Sequence, residues 1–324
     1  MNKAPKKNHY LPRTYLKHFL LDNELFFYLK GKKFFESNLS LEQKIVSVKG
    51  RDGLNIIGFE NHLYRIKADG VNVQDVEDFF QECGENFLNE TIDQINSKEI
   101  GDRIDKKIKD KLCLFMASMR VRTPLFKWET DEIESSFFKH ETKREIENMT
   151  NKDLKKMMNE GKETYTDKEV KTVRKIFIEK KYDLKFPNER FLKMAFSTIE
   201  KFYDIFNSMT MNIIRSRSDR YFITSDNPVV YFVPKNKVDV YNNPRSLISR
   251  YTEVLFPLTR NLGILLSRTE TPEILKAGNR ECSDLFNDNI SLDSYNFLFS
   301  PLQMNSLKKF VEQYIPYPYK VTIK

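Results

Sequence analysis

The carboxylate of Asp226 follows the end of a predicted buried strand, a place where a fold often presents a polar group. Residues 221–230 form an apolar, β-prone run that is interrupted by Ser225, Asp226, Asn227 and Pro228 before it resumes. A carboxylate at the end of a buried strand is held by fixed backbone, so it can act as a general base or a metal ligand. The same residue types also form Asx turns by hydrogen-bonding their own backbone. Both interpretations of Asp226 and its neighbour Ser225 follow from the sequence.

A second candidate is the pair His9 and Arg13, which are four residues apart and would share a helix face. Arginine can hold a phosphate through two hydrogen bonds, and histidine can donate or transfer a proton. Alternatively, Arg13 pairs with an acid and His9 packs beside Tyr10. We predict that His9, Arg13 and Asp226 meet in one catalytic pocket. There Arg13 holds a phosphate, His9 transfers protons, and Asp226 binds a metal ion or orients His9.

Three further residues are weaker candidates. Arg122, at the end of a predicted helix, can contact a ligand, complement the helix dipole or form a salt bridge directed inward. Glu85 and Asp226 could supply hard oxygen ligands to a divalent cation such as Mg²⁺ or Mn²⁺, although Glu85 also fits a solvated helix face. Tyr64 can stack on a nucleobase, or it packs in the core.

Composition and charge limit the possible partners. The 324 residues include 54 Lys and Arg against 46 Asp and Glu, a net charge of +8. This excess favours a polyanion such as DNA or RNA, although a basic surface alone would explain it. The three cysteines have no Cys-x-x-Cys spacing, so neither a disulfide framework nor a thiolate zinc site is indicated. No segment is apolar over the ~18–20 residues that span a bilayer. We expect a cytoplasmic protein without a membrane partner.

The elements that would position these residues indicate an α+β fold in a single domain over residues 1–324. Predicted hairpins or extended units cover residues 25–35 and 54–66. Amphipathic helices follow, from about residue 73 and from about residue 103 to just before Pro124. A charged helical insertion or subdomain covers residues 127–186, with a capping box that starts at Thr166. A long helix then precedes a C-terminal, mostly antiparallel sheet, with a further helix at 272–287.

Several blocks, in this order, resemble the bacterial family known as domain of unknown function 4238. They are His9-Tyr10-Leu11-Pro12-Arg13-Thr14-Tyr15-Leu16-Lys17-His18-Phe19, Leu63-Tyr64, Arg122-Thr123-Pro124, Phe222-Ile223-Thr224-Ser225-Asp226-Asn227-Pro228-Val229 and Phe256-Pro257-Leu258-Thr259. The resemblance spans nearly the whole chain and implies a shared fold. It brings no established activity. The chain departs from the family pattern at Met119, where a Gln is expected, and at Met211, where a Trp is common.

The sequence excludes several common enzyme classes. It contains no Gly-rich phosphate loop, no Gly-x-Ser-x-Gly elbow, no His-Glu-x-x-His motif and no dinucleotide fingerprint. Our leading hypothesis is a phosphodiesterase or nuclease directed at nucleic acid, in a defence or toxin-like role. The alternative is a non-catalytic module that binds nucleic acid or protein, in which the motif blocks only build the fold.

Overall fold

The computed structural model describes residues 7–66, 73–160, 164–234, 247 and 249–314. Helices and strands are mixed along the chain as an α+β fold. The strands are β1 Lys7–His9, β2 Glu24–Leu29, β3 Ile45–Lys49, β4 Phe59–Asn61, β5 Thr210–Arg215, β6 Thr224–Ser225, β7 Val230–Phe232, β8 Glu253–Pro257, β9 Leu262–Ser267, β10 Leu275–Ala277 and β11 Phe297–Ser300. The helices are α1 Arg13–Leu16, α2 Lys32–Phe35, α3 Leu41–Lys44, α4 Gly50–Gly53, α5 Val73–Phe80, α6 Asn86–Asn96, α7 Lys106–Val121, α8 Pro124–Asn148, α9 Asn151–Asn159, α10 Asp167–Ile178, α11 Asn188–Ser208, α12 Arg280–Asp293 and α13 Asn305–Glu312.

The strands of the described residues form three sheets. The largest has the order β10-β5-β9-β8-β7, and all of its pairs are antiparallel except β10 with β5. A four-stranded antiparallel sheet has the order β3-β2-β11-β6 and so joins the two ends of the chain. The short pair β1 and β4 places His9 opposite Phe59. The predicted antiparallel character of the C-terminal sheet is confirmed.

The long helices pack through apolar stripes, as the sequence pattern predicts. Helix α7 buries Leu112, Phe115 and Met116, and α11 buries Phe191 and Leu192, all in one continuous core. Helix α7 ends at Val121, and two residues separate it from α8, which begins at Pro124. The Thr123 hydroxyl caps α8 by accepting a hydrogen bond from the Phe126 amide at 3.2 Å. Residues 122–123 therefore form a sharp junction between two helices, because a residue before proline avoids the α conformation.

A wide turn at Gln81–Glu85 joins α5 to α6. A Cβ added to Gly84 would lie 2.2 Å from Cδ2 of Phe115, so only glycine allows α7 to approach this closely. Glu77 and Glu85 are eight residues apart, and in a regular α-helix such residues point about 80° apart around the helix axis. Because a turn of the π type takes up about one extra residue, Glu85 is brought toward the face that carries Glu77.

The region of the predicted charged insertion contains α9, α10 and most of α8, with non-helical segments that include residues 179–186. Helices α8, α9 and α10 share a small apolar cluster of Ile146, Leu154 and Val170, separate from the main core. The predicted capping box is present: the Thr166 hydroxyl accepts from the Glu169 amide, and the Glu169 carboxylate accepts from the Thr166 amide. Within the described ranges, no helix has the length and apolar character needed to cross a membrane.

Three predicted elements differ from the structure. Residues 25–35 do not form a hairpin, because β2 pairs with β3 and β11, whereas Lys32–Phe35 is a helical turn. In the predicted extended unit at 54–66, residues Leu54–Ile56 form a 3-10 turn, and only β4 is a strand. The predicted helix at 272–287 begins later, at Arg280, because Leu275–Ala277 pairs with β5 and Asn279 caps the helix after it.

Candidate functional site

A fully buried arginine lies at the centre of the site. Arg122 is 1 % exposed and follows the last residue of α7. Its guanidinium donates to Oε1 of Glu85 at 2.9 Å and to the carbonyl oxygen of His9 at 2.8 Å. It also lies 4.8 Å from the ring centroid of Phe80. The ion pair, the carbonyl and the aromatic face together compensate for the loss of water around this charge.

Tyr64 and Asn8 extend this arrangement. The Tyr64 hydroxyl donates to the carbonyl oxygen of Arg122 at 3.2 Å and accepts from Nε of Arg122 at 3.4 Å. The Tyr64 amide donates to Oδ1 of Asn8 at 3.2 Å, and Nδ2 of Asn8 donates to Oε1 of Glu77 at 3.0 Å. We call Asn8, Tyr64, Glu77, Glu85 and Arg122 the arginine network. It ties β1, the turn after β4, the bent helix α5–α6 and the end of α7 together.

Burial and charge act against each other in the arginine network. Burial alone would lower the pKa of Arg122, but Tyr64 and Glu85 outweigh it and raise that pKa above the ordinary value. Burial raises the pKa of Glu77, which the hydrogen bond from Asn8 and the charge of Arg122 partly oppose. Arg122 therefore stays a cation at every pH at which the protein is folded.

His9 lies beside the arginine network in a positive environment. It is half-buried, and its ring centroid is 5.7 Å from that of Phe59. Burial, followed by the charges of Arg13 and Arg122, lowers the pKa of His9 below 6.5, while a hydrogen bond with the Asn55 backbone acts in the opposite direction. The imidazole is therefore neutral at pH 7. Its Nε2 atom is buried and has no hydrogen-bond partner among the described residues.

Two exposed cations stand on the solvent side of His9. Nη1 of Arg13 donates to Oδ1 of Asn55 at 2.6 Å, so Asn55 contacts Arg13 with its side chain and His9 with its backbone. Lys7 places its ammonium 4.5 Å from the ring centroid of Phe59 and also lowers the pKa of His9. An anion that approached His9 would meet Lys7 and Arg13 first.

Asp226 lies in a different environment. It is 1 % exposed, and its two carboxylate oxygens accept from the Tyr295 amide at 2.8 Å and from the Asn296 amide at 2.7 Å. Its own amide donates to the carbonyl oxygen of Phe297 at 3.2 Å. Burial raises the pKa of Asp226 to about 6, although these amides and the charge of Lys30 act in the opposite direction. Asp226 thus fixes the segment that leads into β11.

Ser225 and Lys30 complete this second region. The Ser225 hydroxyl donates to the Asn227 carbonyl oxygen at 2.9 Å and accepts from the Asn227 amide at 3.2 Å, which is a side-chain turn. Nζ of the buried Lys30 donates to the carbonyl oxygens of Ser291 at 2.8 Å and of Leu292 and Ser294 at 3.0 Å each. We call Ser225, Asp226, Asn227 and Lys30 the strand-end cluster. The Ser225 contacts are those of a local turn, whereas the Asp226 carboxylate bonds to amides about seventy residues downstream.

The structure divides the predicted site residues into two groups. His9, Tyr64, Glu85 and Arg122 are joined directly, and Arg13 is linked to His9 through Asn55. Asp226 and Ser225 belong to the strand-end cluster, and the hydrogen-bond partners of Asp226 are different residues from those of His9. Tyr10 is buried, and burial, followed by the charges of Asp226, Glu60 and Tyr64, raises its pKa. Among the described residues, no three His, Cys, Asp or Glu side chains cluster as metal ligands, Glu85 and Asp226 included.

Sequence reasoning passed over Asn8, Lys7 and Lys30. Asn8 directly precedes the first family block and is fully buried, which is unusual for an amide and signals a satisfied polar network. Lys30 is equally buried, yet in the sequence it is one lysine among several near Gly31. No local pattern distinguishes such a lysine from its exposed neighbours, since its acceptors lie more than 260 residues away.

The comparison with protein families covers the sequence blocks that supply the residues of both groups. A family model described as "Protein of unknown function (DUF4238)" matches residues 7–303. The chain belongs to this family. The match includes Asn8, the arginine network and the strand-end cluster, and it confirms the resemblance that the sequence blocks indicate. Neither the comparison with curated proteins nor the comparison with solved structures gave a match.

Proposed function

We propose that the protein acts on nucleic acid as a phosphodiesterase, with His9 and Arg13 at the reacting phosphate. The observation that supports this most is His9, a neutral imidazole whose Nε2 has no partner among the described residues and which three cations surround. A neutral imidazole can accept a proton, and a neighbouring guanidinium can stabilise the charge that develops on a phosphate. Buried unpaired polar atoms are rare in native structures, which favours a ligand at this atom.

In this proposal each residue has a distinct task. Arg13 holds the phosphate, and His9 takes a proton from the attacking hydroxyl and later returns one to the leaving oxygen. Arg122 is a positioning residue, because its bond to the His9 carbonyl oxygen fixes the backbone that carries the imidazole. Since Nε2 is covered, phosphate binding requires a local rearrangement, which the exposed Arg13 side chain can make at little cost. Asp226 takes no part in proton transfer and holds the strand-end cluster.

The alternative is binding without cleavage, and one observation favours it. Asp226 and Arg122 are both buried in contacts that stabilise the fold, so two of the family blocks are explained without chemistry. In this version Lys7 and Arg13 attract the phosphates of DNA or RNA, or the acidic groups of a protein, and His9 is a polar contact. A cytoplasmic location suits either version, as does a role in bacterial defence or as a toxin.

Cleavage assays separate the two versions. Single-stranded and duplex DNA and RNA are incubated with wild-type protein, with His9→Ala and with Arg13→Ala, in Mg²⁺, in Mn²⁺ and in a chelator. We expect His9→Ala to reduce cleavage by about 10²–10⁴-fold, the usual contribution of a general acid–base group. His140→Ala is the matched control, since this histidine is exposed on α8, outside the arginine network.

Two results would reject the proposal that the protein is an enzyme. One is cleavage by His9→Ala at the wild-type rate, and the other is wild-type protein that cuts none of these substrates. Salt-dependent binding that weakens in Arg13→Ala, without turnover, would instead establish the binding module. Expression of both variants in bacteria tests the toxin-like role, which requires that wild-type protein arrests growth and His9→Ala does not.

A further inference from the structure

A cavity of about 540 Å³ opens in the charged helical region, away from the arginine network. It lies between α8, the end of α10 and the segment that leads into α11. Its lining includes Phe138, Phe177, Tyr182, Lys185, Phe186 and Arg190. Four of these six side chains are aromatic.

The aromatic side chains form two pairs. The rings of Phe138 and Phe186 are tilted by 31° with centroids 6.0 Å apart, and those of Phe177 and Tyr182 have centroids 5.0 Å apart. Phe138 is 39 % exposed although it belongs to a pair. Exposed aromatic faces beside a cavity give a planar ligand a surface on which to stack.

Positive charge surrounds these rings. The guanidinium of Arg190 lies 5.2 Å from the ring centroid of Phe138 and 5.3 Å from that of Phe186. The ammonium of Lys139 lies 5.4 Å from the ring centroid of Tyr182. Arg190 also pairs with Glu134 at 3.0 Å, but this pair is exposed and therefore contributes little. Aromatic faces interleaved with Lys and Arg are typical of surfaces that bind single-stranded nucleic acid.

The Tyr182 hydroxyl is a separate observation that indicates a ligand. The oxygen is buried and has no hydrogen-bond partner in the described part of the chain. Tyrosine hydroxyls that are withdrawn from water usually find a partner. The oxygen is covered, so a local rearrangement has to uncover it. The edge of a nucleobase, which carries both donors and acceptors, would then satisfy it.

We propose that this cavity binds an unpaired nucleobase of a single-stranded nucleic acid. The base stacks on Phe138 and Phe186 and bonds to the Tyr182 hydroxyl, while Lys139, Lys185 and Arg190 contact the flanking phosphates. This inference rests on the proposed function, because it concerns the single-stranded nucleic acid on which His9 and Arg13 would act. It assigns the helical region to substrate binding, at a site distinct from the reacting phosphate.

Fluorescence anisotropy with labelled oligonucleotides tests this site. The probes are oligothymidylate, oligouridylate, a duplex, and an abasic strand of the same length, which keeps the phosphates and lacks the bases. We expect wild-type protein to bind the base-containing strands at least about fivefold more tightly than the abasic strand, and more tightly than the duplex. Phe138→Ala and Phe186→Ala should each remove that preference, and the oligouridylate arm distinguishes RNA from DNA.

Phe137→Ala is the matched control, because Phe137 is 57 % exposed beside Phe138 but does not line the cavity. Tyr182→Phe removes only the hydroxyl and should weaken the binding of the base-containing strands but not that of the abasic strand. Unfolding curves for each variant establish that the protein remains folded.

The outcomes separate the two proposals. If wild-type protein binds none of the probes, the proposed function fails and the cavity proposal fails with it. If it binds abasic and base-containing strands equally, prefers duplex, or is unaffected by Phe138→Ala and Phe186→Ala, only the cavity proposal fails. Binding of an acidic protein at the cavity in place of oligonucleotides would also overturn it.

Discussion

Two buried charges of this protein are stabilised in opposite ways. Arg122 and Asp226 are each 1 % exposed. Arg122 has the Glu85 carboxylate at 2.9 Å and the Tyr64 hydroxyl beside it, and Tyr64 and Glu85 raise its pKa. Asp226 has two backbone amides and the more distant charge of Lys30, and its pKa is about 6. For Arg122 the charged partners outweigh burial, whereas for Asp226 burial outweighs the amides and Lys30, which both favour the carboxylate.

The two regions also differ in what they connect. The arginine network joins side chains from four separate elements around the first family block, next to the half-buried His9. The strand-end cluster joins one turn to the segment that enters β11, mainly through backbone groups. Replacing a side chain of the network should therefore disturb several elements. Replacing one of the cluster should disturb a single junction.

Arg122→Met gives the largest expected effect. It leaves Glu85 without its ion-pair partner and removes the Arg122 donor from the His9 carbonyl oxygen, so we expect a loss of about 3–5 kcal/mol in the free energy of unfolding. The measurement is urea unfolding at pH 7. The double variant Arg122→Met with Glu85→Met should recover part of this loss, because apolar side chains of similar volume can replace a buried pair. A loss below about 1 kcal/mol in the single variant would contradict the central place given to Arg122.

Asp226→Asn tests the strand-end cluster through its pH dependence. The pKa of Asp226 is raised from 3.8 to about 6 on folding, so protonation favours the folded state. This contribution is present below about pH 4 and is lost as the pH rises through about 6, and it amounts to about 3 kcal/mol. Wild-type protein should gain stability relative to Asp226→Asn as the pH falls from 7 to 4. A difference that stays constant over this range would show that Asp226 titrates normally.

Gly84→Ala tests the wide turn that brings Glu85 to Arg122. The new methyl group would lie 2.2 Å from Cδ2 of Phe115, and overpacking of this kind costs about 1–3 kcal/mol. Thermal unfolding measures the loss. Adding Phe115→Leu should restore part of the stability if the clash is its cause, and no recovery would indicate a different origin.

His9→Asn gives the smallest effect, with the opposite sign to Asp226→Asn. Because the pKa of His9 is lowered on folding, its charging disfavours the folded state, and wild-type protein loses stability as the pH falls below 6.5. The variant should lack this loss in the same pH series. The change is smaller than for Asp226, since His9 is only half-buried and solvent screens its neighbours. Equal acid sensitivity in both proteins would contradict the lowered pKa.

The sequence identified the residues of both regions better than their partners. His9, Tyr64, Glu85, Arg122 and Asp226 are all candidates from their residue types and their places in the predicted elements. Local patterns could not determine which of them bond to one another, and the predicted meeting of His9, Arg13 and Asp226 in one pocket stays a prediction. The amides that hold Asp226 are about seventy residues downstream, and no periodicity around residue 226 indicates them.

The same limit explains the errors in the fold. The periodicity of the long helices α7 and α11 is local, so their existence and apolar faces were predictable. A hairpin at residues 25–35 was wrong because β2 takes its partners from β3 and from β11. The wide turn at Gln81–Glu85 likewise depends on the approach of Phe115 from another helix. Contacts of this kind are set by tertiary packing, which overrides local propensity.

The order of the four-stranded sheet has a consequence for biosynthesis. Strand β11 lies between β2 and β6, so residues 297–300 must be made before residues 26–29 acquire their partner on that side. During synthesis β2 can therefore pair only with β3 until β11, the last of the described strands, has been made. Loop-closure entropy makes such distant pairing slow, and an unpaired strand edge can join the same edge of another chain. Truncation before residue 297 would make that exposure permanent.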